Sequence, residues 1–146
     1  VEFSFYDPLR SGLAMNRIIR RELNRRLKPF GLNDSNFFFI FILLDNPGIS
    51  QDDLTKKMSL DHSTVTRAVA KLIDKGIITR SPNPNDKRAS QIYPTDKAAE
   101  LCQKILPIVN QIYDKLFAGL NDSEQEQLEH LLNKALASAQ KEEGTK

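Results

Sequence analysis

The chain contains no tryptophan, one cysteine and two histidines, and each scarcity removes a class of function. Cys102 has no partner for an internal disulfide and no neighbouring cysteine with which to hold zinc, which fits a reducing compartment. His62 and His130 stand in no metal-spacing motif. There is no Gly-rich phosphate loop, no nucleophile elbow and no acid pair set apart for glycoside chemistry. The sequence therefore reads as a non-enzyme with no cofactor and no metal site. No apolar run approaches the ~18 residues of a membrane span, and residues 1–30 lack an apolar signal core with a small-residue cleavage site. The expectation is a cytoplasmic protein that does not engage a membrane.

What is present is charge, unevenly placed. The net charge is only +2 over 146 residues, a length that suits one compact domain or two small lobes sharing a core. Residues 10–28 hold seven Arg or Lys against Glu22 alone, and residues 55–97 hold nine against four acids. Segments 29–54 and 98–146 are net negative. Two basic tracts between acidic spacers match the footprint of a polyanion, although charged helix faces meeting solvent would give a similar count.

Hydrophobic periodicity supplies the elements. Residues 1–8 read as an aromatic arm that packs against something or opens the first helix at Pro8. Leu9, Leu13, Ile19, Leu23 and Leu27 mark a long amphipathic helix stopped by Pro29 and Gly31. Asn33 or Asp34 can cap a second helix through Leu44, apolar almost all round and hence central, with a strand as the competing reading. Ser50 and Asp53 form a capping box for a short helix through Lys57. After a break at Ser59–Asp61 another helix runs to Asp74, with Val65, Val69, Leu72 and Ile73 inward and Ser63, Thr64, Arg67, Ala70 and Lys71 outward.

Gly76 closes that helix. Ile77–Arg80 and Ser90–Tyr93 read as a hairpin around a polar loop at residues 81–89. Thr95 is positioned to cap a long helix through Leu101, Ile105, Ile108, Ile112 and Leu116, with Pro107 as a kink. Ser123 and Glu126 suggest a capping box for a last helix lined by Leu128, Leu131, Leu132 and Leu136, before a frayed tail. The fold class expected is mainly α with a small β-hairpin wing, a winged helix-turn-helix.

In such a unit the first short helix braces the second against a duplex. His62, Ser63, Thr64, Thr66, Arg67 and Lys71 supply hydroxyl, imidazole and cationic groups for base edges and phosphates, at a helix start whose free N–H groups favour phosphate. His62 and Thr66 could equally be surface or packing residues. In the wing, Asp86 two residues before Arg88 can orient the guanidinium toward an electronegative minor groove, while Lys87 neutralises phosphate.

The run GISQDDLTKKMSLDHSTVTRAVAKLIDKGIITR, followed by NDKRAS and a helix from Thr95, resembles the MarR family of bacterial and archaeal transcription regulators over essentially the whole chain. Its most specific parts are Thr64–Arg67, Leu72–Gly76 and Asp86–Arg88. The resemblance implies a homodimer held by residues 1–32 and 95–146, with a DNA-binding domain at 33–94 and an inverted-repeat operator as partner. It also implies repression released by a small phenolic or aromatic-acid effector lodged between the dimerisation helices and the DNA-binding lobe. Arg17, Arg20, Arg21, Phe37 and Phe41 are the effector-binding candidates, against an ordinary core role for the aromatics and a surface role for the arginines. Oxidant-sensing relatives carry an early cysteine, whereas Cys102 lies late and is more simply a small buried hydrophobe. The rival function is an architectural or protein-interacting winged helix without an effector.

Overall fold

The computed structural model describes residues 7–143. Among them the elements run α1 (Arg10–Leu27), α2 (Phe37–Asp45), β1 (Ile49–Ser50), α3 (Gln51–Met58), α4 (His62–Asp74), β2 (Ile78–Asn83), β3 (Asp86–Pro94), α5 (Asp96–Phe117) and α6 (Asp122–Glu143), with a 3-10 turn at Lys28–Phe30. The architecture is mainly α with a hairpin wing, as expected. A short strand that periodicity does not reveal, β1, joins β3 in an antiparallel sheet of order β1-β3-β2.

Most of the arm expected at residues 1–8 lies outside the described residues. Pro8 does not open α1: a turn in which the Leu9 N–H donates to Asp7 Oδ1 precedes the helix at Arg10. Pro29 falls in the 3-10 turn, and Gly31, at φ 69°, closes it by donating its N–H to the Lys28 carbonyl. Asn33 accepts from the Ser35 and Asn36 N–H groups, so the chain turns before α2 and helix, not strand, begins at Phe37.

α2 is the centre of the molecule. Phe39, Ile40 and Leu43 are fully buried, meeting Leu23 and Leu27 from α1, Leu54 from α3, Val65, Val69 and Leu72 from α4, Ile92 from β3, and Leu101 and Ile105 from α5 in one continuous core. Each such side chain contributes about 1.5–3 kcal/mol by leaving water. α1, α5 and the helix-turn-helix thus share a single core.

Three local expectations are corrected. Thr95 stands at the start of α5, but its hydroxyl bonds to the Gly76 and Ile77 carbonyls and ties α5 to the end of α4 instead of capping. The capping box of α6 is Asn121–Glu124, not Ser123–Glu126: the Glu124 N–H donates to Asn121 Oδ1 and the Asn121 N–H to Glu124 Oε1. The strands consume most of the expected loop, leaving Pro84–Asn85 as the turn. α5 continues through Pro107.

Candidate nucleic-acid interface

α4 forms because Asp61 caps it. The Asp61 carboxylate accepts from the Thr64 N–H, the Ser63 hydroxyl and the Thr64 hydroxyl, all at 2.8 Å, satisfying donors that the helix start leaves open. The same bonds hold its pKa down at about 2, with the Thr64 backbone bond contributing most. Asp61 was not singled out from the sequence, although the Asp-x-x-Thr spacing into an apolar-periodic run signals a cap.

Three consequences follow for the residues expected to read DNA. The Ser63 and Thr64 hydroxyl protons are committed to Asp61, so both oxygens face a ligand as acceptors. Thr66 donates to the His62 carbonyl at 2.9 Å and accepts from Gln51 Nε2 at 2.9 Å. Arg67 makes only a long 3.5 Å contact with Thr64 Oγ1, so its guanidinium stays available. Ser63, Thr66, Arg67 and Lys71 are exposed on the face opposite the fully buried Val65, Val69 and Leu72. That face is polar, cationic and free of large apolar groups.

The wing stands beside this helix. His62 and Arg88 share a shallow cleft of about 180 Å³ with Ser50, Gln51, Asp52, Ala89 and Ser90. Asp86 acts on Arg88 differently from the expectation: its Oδ1 accepts the Arg88 backbone N–H at 3.0 Å, and among the described residues no ion pair joins the two side chains. Asp86 thus fixes the strand path at the turn, and the guanidinium remains unneutralised. Lys87 lies in β3; its side chain is outside the described part.

The effector candidates separate. Phe37 is buried and packs edge-on against Phe41, with centroids 5.9 Å apart. Arg20 pairs with Asp34 at 2.6 Å, fastening α1 to the approach to α2. Arg17 is exposed. Arg21 lines a groove of about 380 Å³ between α1 and α5, with Arg25, Arg26 and Lys115 around an apolar floor of Ile18, Ile112 and Leu116. Cys102 is half-buried, and burial, with the Asp45 charge, pushes its thiol pKa up, which opposes the thiolate that oxidation chemistry needs.

Among the described residues no group of three or more His, Cys, Asp or Glu could hold a metal ion, and no helix is long and apolar enough to cross a membrane. A family model described as the MarR family matches residues 32–90. The multiple antibiotic resistance protein MarR of Escherichia coli (strain K12) is 32% identical over 117 residues, covering 80% of this chain and 81% of that protein. A solved MarR protein from Peptoclostridium difficile superimposes with a TM-score of 0.89 at 26% identity, over 97% of this chain and 93% of that one. A mutant MarR from E. coli, solved in complex with operator DNA, does so with a TM-score of 0.79 at 32% identity, over 88% and 94%. Sequence identity, length and fold agree: the chain belongs to the MarR family, whose members are transcription regulators and not enzymes.

Proposed function

We propose that this regulator is a homodimer that binds an inverted-repeat operator in double-stranded DNA and represses transcription until a small aromatic acid or phenol releases it. The observation that carries the reading is the outward face of α4, which presents Ser63, Arg67 and Lys71 and whose first residue, His62, shares a cleft with the wing's Arg88. A helix of that chemistry suits the major groove, and an arginine on an adjacent hairpin suits the minor groove. His62 and Lys87 complete the contact set. The operator complex of the E. coli relative supports carrying DNA binding over to this chain.

Dimerisation is supported by what α1 and α6 leave uncovered. Leu9, just before α1, and Leu13 on it are 57% and 55% exposed, and Leu131, Leu132 and Leu136 on α6 are 61%, 47% and 50% exposed. Leucines at that spacing on long terminal helices form a stripe that a second copy would bury. In this division residues 1–32 and 95–146 serve dimerisation and 33–94 serve DNA binding, at work in the cytoplasm. For the effector, the groove containing Arg21, where four cations outnumber Glu22, supports an anionic ligand; the other candidates, Arg17 and Arg20 on α1 and Phe37 and Phe41 on α2, do not line it.

Selection of bound sequences from a random duplex pool, followed by footprinting, tests this. The expected result is two half-sites about one helical turn apart, with protection lost when one member of a panel of aromatic acids is added. Recovery of no common sequence would replace the regulator with an architectural or protein-interacting winged helix.

A further inference from the structure

A polar relay links the wing root to the recognition helix. The Arg80 guanidinium donates to Gln51 Oε1 at 3.1 Å, Gln51 Nε2 donates to Thr66 Oγ1 at 2.9 Å, and the Thr66 hydroxyl donates to the His62 carbonyl at 2.9 Å. Its direction is fixed by chemistry. Thr66 has one proton, already given to His62, so it can only accept from Gln51, and a guanidinium has no acceptor at all. The Gln51 amide therefore has one orientation that satisfies both neighbours.

Arg80 reaches this position because of sheet register. It lies opposite Ile92, which is fully buried, and cross-strand partners share a face, so Arg80 projects on the helix side of the sheet. It is exposed, and among the described residues it pairs with no carboxylate. Gln51 occupies only part of its five-donor fork. An uncompensated guanidinium held rigidly beside the exposed face of α4 suits a backbone phosphate more than a base edge, since it comes from the strand and not from the groove-entering helix.

We propose that Arg80 is a further phosphate-contacting residue of the DNA interface, and that Gln51 is a positioning residue that holds it in register with α4 through Thr66. The inference rests on the DNA-binding reading. Gln51 bridges the wing root and α4 by side-chain hydrogen bonds in addition to their shared core, so affinity on all sequences depends on Arg80 while its placement depends on Gln51.

The test uses the full chain and measures affinity for a selected operator and for random duplex, across a salt series, for the unaltered protein and for Arg80→Ala, Arg80→Lys, Gln51→Ala and the Arg80→Ala/Gln51→Ala double variant. Arg80→Ala is expected to weaken binding to both duplexes about tenfold and to reduce the slope of log K against log salt by about one. Arg80→Lys should restore the slope but not the full affinity. Gln51→Ala should lose less, and the double variant should be no weaker than Arg80→Ala alone, because neighbours in one network are non-additive. Unchanged slope and affinity in a normally melting Arg80→Ala would overturn the phosphate contact, and additive losses would overturn the positioning role. Failure of the unaltered chain to bind any duplex would overturn the DNA-binding reading, and this inference with it.

Discussion

Asp61 and Thr64 are joined twice: the Thr64 N–H donates to Asp61 Oδ1 and the Thr64 hydroxyl donates to Oδ2, each at 2.8 Å. With the Ser63 hydroxyl added, one carboxylate organises the first turn of α4, and its protonation state governs that turn. Its pKa in the folded chain, about 2, lies below the ordinary 3.8. The stability it contributes is therefore complete above about pH 4 and is lost as pH falls through about 2. Asp61→Ala should melt a few degrees lower than the unaltered protein at pH 7, and the gap should close over that acid interval. Thermal melts followed by circular dichroism at a series of pH values check this; a gap that persists unchanged at pH 2 would contradict it.

Arg88 and Arg67 should fail differently. Arg88→Ala is expected to weaken binding to DNA about tenfold while leaving the dimer folded, because its guanidinium makes no ion pair within the described protein. A collapsed or monomeric variant by circular dichroism and sizing would reassign it to structure. Arg67→Ala should harm binding to the operator more than to random duplex. Equal losses on both would make Arg67 a phosphate anchor and not a base reader.

Ser59, between α3 and α4, adopts left-handed backbone at φ 53°, the lone non-glycine residue with positive φ among those described. A side chain there costs about 1–2 kcal/mol, part of which glycine returns through greater freedom in the unfolded chain. Ser59→Gly should stabilise the protein by about 0.5–1 kcal/mol in denaturant titrations. The opposite sign would mean that the bond from Gln140 to the Ser59 hydroxyl outweighs the backbone strain.

The exposed leucines of α6 give a test of assembly. Leu131→Asp combined with Leu132→Asp should shift the protein from dimer to monomer in analytical ultracentrifugation at micromolar concentration. Its helical content should hardly change, because α6 contributes no residue to the buried core. Operator affinity should fall steeply, since two half-sites then bind independently.

Much of this was legible in the sequence where a period of 3.6 exists: α1, α4 and α5 declare their inward faces through Leu23 and Leu27, Val65 and Val69, and Leu101 and Ile105. α2 was harder, because a run of eight consecutive large apolar residues from Phe37 to Leu44 has no period to read. Residues 81–89 of the wing read as loop in the sequence because they are rich in Pro and Asn, Pro82 among them. Yet β2 is an edge strand, where a missing N–H costs no ladder bond. Thr95 looks like a cap because local rules cannot see the Gly76 carbonyl, whereas Asn121–Glu124 and Ser123–Glu126 satisfy the same local rule and only the fold chooses between them. Of the candidate interface, Arg67 and Arg88 were legible from type and spacing. Gln51 and Arg80 were not, since their contact spans 29 residues and no local pattern announces it.

The most direct measurement is the ratio of dissociation constants for the DNA upstream of the chain's own gene and for a random duplex of equal length, taken at one physiological salt concentration by competition gel shift. A sequence-reading winged helix predicts a preference of at least about a thousandfold for a duplex that contains the operator. Equal affinity for that duplex, for the best duplex drawn from a random pool and for random DNA would contradict it, leaving a protein that holds phosphates without reading bases.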